Sequence, residues 1–296
     1  MQVNELIDRT LSEWLYPGGD EDPMFDFLAD DIAGDDNVIP LEGRAERVPR
    51  DSTLQIGSEV MLVSDQNGTA ITAAKRGANG TEATNHSAGA LVQVDPIFTR
   101  IEILHALRGL VAKIYPWGVY RRTVDTTKTY TRHRVIEMGE GVKKVHSILV
   151  RKSSSEELYT RLSMRGQDWI EYHEFDPVKI QIRKAAGAED APMRVVCIGD
   201  FTLPEEEGDS LEDCGIPETL QEDLPMAVAG MVLQGREVPR AIVDRIREQL
   251  AAEGQQAVTI INVGGTLVNN FRRDAVTAER RRQSEQDDTA FEWQRR

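Results

Sequence analysis

The chain carries five histidines, His86, His105, His133, His146 and His173, and these are the side chains that most readily do chemistry. His133, His146 and His173 fall on separate segments of strand character. With Glu171 or Glu174 they supply the ligand types of a tetrahedral zinc site. Their spacings match no zinc-ligand pattern, so they are read as satisfied structural or surface histidines. Carboxylates occur in such numbers that no single pair stands out for acid–base work. Two glycine-rich stretches, Gly77-Ala78-Asn79-Gly80 and Val263-Gly264-Gly265-Thr266, come nearest to phosphate loops. The first lacks the lysine–hydroxyl ending and sits within a hairpin, and the second lies in a helical stretch. No catalytic, cofactor-binding or metal-ligating residue is assigned, and the chain is read as a non-enzyme without cofactor.

Basic residues gather in two places. Arg121, Arg122, Lys128, Arg132 and Arg134 lie beside Tyr115, Trp117, Tyr120 and Tyr130. The second group is Arg272, Arg273, Arg280, Arg281 and Arg282. Either could touch phosphate, but arginine beside aromatic residues is also the composition of protein interfaces. We take Tyr115, Trp117, Tyr120, Arg121, Arg122 and the five terminal-helix arginines as candidate subunit contacts. Phe291 and Trp293 in the tail are candidate anchors on a neighbour.

Against these patches stands a formal net charge of −15. That sign disfavours a sequence-independent grip on nucleic acid, which needs clustered cations to displace counterions. It suits a soluble protein, or one lining a channel through which DNA slides without sticking. The two cysteines, Cys197 and Cys214, are too few for a disulfide framework. Cys197, in the apolar run Met193–Ile198, reads as a small core residue. No apolar run approaches the roughly 20 residues that a bilayer requires. The start, Met1-Gln2-Val3-Asn4-Glu5, lacks the basic and apolar stretches of a signal peptide, so synthesis in the cytoplasm is expected.

The elements that must position these residues come from periodicity. Apolar residues at helical spacing predict helices over 3–15 and 97–115. Residues 20–36 form an acidic stretch without a base, read as a solvated loop or docking surface rather than a calcium site. Between Arg44 and Pro96 come short strands, with Asn67-Gly68 the strongest hairpin signal in the chain. A second β-rich region runs over 119–202, with candidate strands at 130–136, 145–151, 159–164, 169–172, 179–183 and 193–201. Residues 203–223 are again acidic. Helices are expected at 224–233, 238–250 and 258–282, before a polar tail.

Two segments resemble tailed-phage virion proteins. Ile56-Gly57-Ser58-Glu59-Val60-Met61-Leu62-Val63, then Arg76-Gly77-Ala78-Asn79-Gly80-Thr81-Glu82-Ala83-Thr84-Asn85-His86-Ser87-Ala88-Gly89, is similar to a small β module recurrent in these proteins. There an I-G-x-E-x-M-x-V strand pair precedes an R-G-x-x-G-T-x-A-x-x-H-x-x-G turn, and the module decorates or makes contacts. Residues 220–282 resemble, at the level of pattern, the C-terminal helices of head–tail connector (adaptor-like neck) proteins. The resemblance implies a virion structural protein in the head–tail neck. It would form a homo-oligomeric ring, commonly of twelve subunits, that binds the portal protein, extends its DNA channel and meets the next ring or tail protein. A tail or baseplate protein is the alternative, and a metal-dependent hydrolase a weaker one. Passing contact with packaged DNA is allowed, and no membrane is involved.

The expected fold class is α+β: a helical body (N-terminal, middle and C-terminal helices) with a small inserted β module and a central antiparallel β-sandwich-like region. The expected segments are 1–43 plus 97–118 for the body, 44–96 for the module and 119–202 for the β-rich region. An acidic connector, 203–223, and C-terminal helices with a tail, 224–296, complete the chain.

Overall fold

Glycine turns and alternating apolar residues build the first sheet. Thr53–Ile56 (β3) and Glu59–Asn67 (β4) pair antiparallel through the two-residue turn at Gly57, whose φ of +55° suits glycine. β4 pairs with Ala70–Lys75 (β5) beyond Gly68, at φ +62°. Leu91–Val94 (β6) adds to the free side of β3, Met24–Phe27 (β1) adds to β6, and Val38–Pro40 (β2) adds to β5. The order is β1-β6-β3-β4-β5-β2, antiparallel throughout. Register shifts around Val63 bend the β4–β5 pair. The sheet curls into a half-barrel until its two ends meet. Leu28 bridges Leu41, Ala29 N–H donates to the Pro40 carbonyl at 3.0 Å, and Glu42 N–H donates to the Phe27 carbonyl at 2.9 Å. Leu54, Ile56, Met61, Val63, Ile71, Val92 and Val94 point inward with Leu28, Ile39 and Leu41. Each buried side chain of this size contributes roughly 2 kcal/mol.

This computed structural model describes residues 1–15, 24–43, 45–68, 70–152, 159–162, 167–172, 177–234, 240–252 and 263–292. The chain divides into two units. The half-barrel belongs to the first, which comprises Met1–Leu110, Pro204–Leu211 and Thr219–Ala275. That unit also holds Val3–Arg9 (α1), continued by a wider π-helical turn over Thr10–Leu15. The Thr10 hydroxyl donates to the Leu6 carbonyl at 2.8 Å and the Ser12 hydroxyl to that of Asp8, the back-bonding that loosens a helix. α1 is stitched to the second acidic segment: Val3 N–H donates to Asp209 O and Asn4 N–H to Glu207 O. Arg100–Ile114 (α2) starts in this unit, and the short Glu218–Gln221 (α3) ends in it. Leu224–Leu233 (α4), Arg240–Ala252 (α5) and Val263–Phe271 (α6) complete it. α4 and α6 cross at glycines. A Cβ on Gly264 would lie 2.5 Å from the Gly230 carbonyl oxygen, and one on Gly230 would lie 2.8 Å from that of Gly264.

The second unit comprises Val111–Leu203, Glu212–Glu218 and Val276–Arg296. Arg121–Asp125 (β7), Val142–Arg151 (β9), Tyr159–Leu162 (β10) and Met193–Gly199 (β13) form one sheet, ordered β10-β9-β13-β7. Val135–Glu137 (β8), Trp169–Tyr172 (β11) and Lys179–Ile182 (β12) form another, ordered β11-β12-β8. Ile148, Val150, Val195 and Cys197 of the first share one core with Trp169, Ile180 and Ile182 of the second. Thr277–Glu292 (α7) follows a π-helical turn over Arg272–Val276.

The expected architecture is corrected. Helices take up only about a third of the residues, and among the described residues there is no helical body into which sheets are inserted. The chain is mostly β-rich, which also overturns the α+β description built on helices 3–15, 97–115 and 224–282. The physical reason lies in what periodicity reports. An apolar stripe shows that a helix buries a face, not that its partner is another helix. The acidic stretch 20–36 hid β1, because strand β1 is short and closes the half-barrel by pairing rather than by a long alternating pattern. Residues 16–23, which include the start of that stretch, lie outside the described residues, as do 235–239 and 253–262.

Candidate functional site

The densest polar constellation among the described residues is built on one carboxylate. Glu59 opens β4 immediately after the Gly57 turn and is fully buried, at 0% exposure. A lone carboxylate beside Ile56, Met61 and Val63 would be expelled from such a site unless ionic and hydrogen-bond partners met it there. Arg76, just past the end of β5, meets it with two parallel bonds: Nε to Oε1 at 2.7 Å and an Nη to Oε2 at 2.8 Å. This is the bidentate fork that favours arginine over lysine. Gly77 N–H donates to Oε1 at 3.1 Å and Thr84 N–H to Oε2 at 3.0 Å. The His86 Nε2 lies 2.8 Å from Oε2.

Arg76 is equally saturated. Its side chain is 5% exposed, and its remaining N–H groups donate to the carbonyls of Ala33 (2.9 Å), Asp36 (2.6 Å) and Thr84 (2.8 Å). All five guanidinium donors are therefore engaged. His86 pairs its backbone with Ile32 in both directions at 2.9 Å. The segment 76–86 is thus fastened to one carboxylate directly, and the segment 32–36 through Arg76 and His86. Burial pushes the Glu59 carboxyl up, but the bonds from Arg76, the Thr84 N–H, His86 and the Gly77 N–H outweigh it and hold it down at about 2. A carboxylate held that low stays ionised near neutral pH and is itself a poor proton acceptor.

One N–H of the Gly77–Gly80 loop, that of Gly77, does bind an anion, and the anion is the chain's own Glu59 carboxylate. Gly77 has φ +59°, and a Cβ there would lie 2.9 Å from the Thr81 carbonyl oxygen. Thr81 ties the loop to β4: its hydroxyl accepts from Val60 N–H at 3.0 Å and donates to Ala78 O at 2.7 Å. Val263-Gly264-Gly265-Thr266 is the first turn of α6, where Gly264 serves the contact with α4.

The other described histidines lie on separate elements. His105 is exposed on α2, and His133, at φ +65°, is exposed in a turn. His146 is half-buried on β9, and His173 and Glu174 lie outside the described residues. Glu171 Oε1 accepts from Val145 N–H at 2.6 Å. Among the described residues, no group of three His, Cys, Asp or Glu side chains is placed to hold a metal ion. In the first acidic stretch Asp31 accepts from Ala88 N–H, Asp36 from Ala33 N–H, and Asp26 from Gly43 N–H.

Parts of the two candidate interface clusters meet within the second unit. Tyr115, Trp117 and Tyr120 are half-buried at and beyond the end of α2. Gln283 of α7, which the sequence reading passed over, clasps the Tyr120 backbone: its Nε2 donates to Tyr120 O at 3.0 Å. The Arg280 side chain lies over Gly118, where a Cβ would come 2.9 Å from its Nε. Arg121 reaches Thr202 Oγ1 at 2.5 Å, and Arg122 is exposed on β7. Arg273 pairs with Asp274, Arg281 with Glu285, and Arg282 with the buried Glu279. Arg272 is exposed. The side chain of Phe291 and all of Trp293 lie outside the described residues. Tyr130 is buried, its hydroxyl donating to Lys184 O at 2.9 Å. Both cysteines are buried, and burial, ahead of Asp125 and Glu171, pushes the Cys197 thiol up to about 11.

No family model matches this chain, and no significant match emerged among curated proteins or solved structures. No helix among the described residues is long and apolar enough to cross a membrane.

Proposed function

We propose that the chain is a non-enzymatic structural subunit of a tailed-phage particle, a ring protein of the head–tail neck. In this role it extends the portal DNA channel and joins the tail. One observation carries the reading. The residues through which the chain resembles a virion β module, Glu59, Arg76, Gly77, Thr81 and His86, are engaged with one another and with local backbone. They make a cross-fastened module, as suits a part that bears load between proteins. The charge of −15 suits a wall past which DNA moves.

The β-rich architecture without a helical body favours a second position in the same kind of particle, in the tail or baseplate. Cryo-electron microscopy of purified virions from a lysate containing the protein tests both. Density for the subunit in a ring between portal and tail is the expected result, and density only at the distal tail selects the second position. Absence from the particles overturns the virion reading altogether.

A further inference from the structure

A cavity of about 380 Å³ opens in the first unit, on the outward face of the half-barrel. Its floor is Gln55 of β3 and Gln93 of β6, which face each other across the strand pair, with Leu91 two residues along on the same side. Its wall is Asp8, Arg100 and Glu207. The hydrogen-bond capacity of this lining is lopsided. Arg100 gives Nε and one Nη to Glu207 Oε2, at 2.8 and 2.7 Å, and its other Nη to Asp8. Gln55 is satisfied too: its Nε2 donates to Gly57 O at 2.9 Å and its Oε1 accepts from Arg100 N–H at 3.3 Å. Two buried oxygens remain, Gln93 Oε1 and Glu207 Oε1, and among the described residues neither has a hydrogen-bond partner. Both are acceptors. A buried acceptor without a donor is costly, more so on a carboxylate.

We infer that this cavity is a binding site for an alkyl cation, a guanidinium or primary ammonium group on an apolar stem. The ligand is expected to bring donors, because both buried atoms of the lining that lack a partner are acceptors. A positive charge is favoured because Asp8 and Glu207 carry two negative charges against the one positive charge of Arg100. Leu91, exposed at the mouth, offers the stem an apolar wall. The chemistry is that of an arginine or lysine side chain and equally of a free amine. The inference stands on the cavity alone and does not rest on the virion reading.

The test is a titration of the full chain with n-butylguanidinium, n-butylammonium and n-butanol, followed by the side-chain amide resonances of Gln93 and the Nε–H of Arg100. The two cations should give saturable shifts with Kd below about 10 mM, the range open to ligands of this size, and butanol should not. Gln93→Leu should weaken the cation at least tenfold. Gln93→Glu should tighten it several-fold, a gain that misfolding cannot mimic. A blocked Gly-Arg-Gly peptide that binds as well as butylguanidinium assigns the ligand to a protein side chain, and its exclusion while butylguanidinium binds assigns it to a free amine. Absence of saturable shifts, equal binding of butanol, or indifference to both Gln93 substitutions overturns the inference and leaves the cavity to water.

Discussion

Replacing Glu59 by glutamine keeps the shape of the side chain and removes its charge, which isolates what the carboxylate contributes. In the wild-type chain Oε1 receives Arg76 Nε and Gly77 N–H, while Oε2 receives an Arg76 Nη, Thr84 N–H and faces His86 Nε2. An amide nitrogen placed at either position turns donors against at least two of these groups. Arg76, at 5% exposure, keeps its charge and loses its counter-ion. Breaking a buried pair from one side costs about 3–5 kcal/mol, against a total of roughly 5–15 kcal/mol for a folded domain. Two units need not unfold together, so the measurement should be local as well as global. We expect urea unfolding of the full chain to show an early transition in Glu59→Gln. Hydrogen exchange at the Gly77 and Thr84 amides should accelerate by about 100-fold or more, the equivalent of about 3 kcal/mol. Combining Glu59→Gln with Arg76→Met should cost less than the sum of the single changes by about 2 kcal/mol, because the stranded cation goes with its partner. A variant whose unfolding shifts by less than about 0.5 kcal/mol, with both amides protected as before, would refute the view that this carboxylate fastens the loops.

Acid should act on the same group. The Glu59 carboxyl sits at about 2 against an ordinary 4.5, so its contribution is complete above about pH 4.5 and is lost as pH falls toward 2. That loss is about 3 kcal/mol, and it should be missing from the pH dependence of Glu59→Gln stability. Gly264→Ala sets a Cβ against the Gly230 carbonyl and the Gln234 N–H, and thermal unfolding should show a loss of roughly 1–3 kcal/mol. Neither Cys197 nor Cys214 should react with an aromatic disulfide reagent in the native chain, and both should react at once in denaturant. Gln283→Ala should free the Tyr120 backbone and raise exchange at the Tyr120 amide, leaving the Gly77 amide unchanged.

What could be read from the sequence follows the range over which each signal acts. Asn67-Gly68 marks its hairpin because turn geometry is decided within four residues, and β4 and β5 do pair across it. The closing of the half-barrel is decided between Leu28 and Leu41 and between β1 and β6, far apart in the chain, and no local pattern announces it. The helices were visible as stripes, yet the stripe carries no address, and the step from stripes to a helical body failed. The hub was half legible. A glutamate inside Ile56–Val63, an otherwise apolar strand pair, is a buried charge that requires a cation, and Arg76 is the first arginine after β4. His86 belongs to the motif, but its bond to Glu59 needs the fold, because 27 residues separate the two.

This difference bears on how a motif should be weighed. Glu59, Arg76, Gly77, Thr81 and His86 complete one another's hydrogen bonds, so the physics of the module demands them whatever the protein does. They specify a cross-fastened, load-bearing part and leave open which group it recognises. Specificity must then come from groups that the module holds but does not satisfy. Among the described residues of the first unit, Gln93 Oε1 and Glu207 Oε1 are such groups, and both residues line one cavity. The saturated hub and this unsatisfied cavity share a wall at His86, which touches Glu59 on one side and lines the cavity on the other. Loosening the hub by Glu59→Gln should therefore disturb the Gln93 and Arg100 resonances even before any ligand is added.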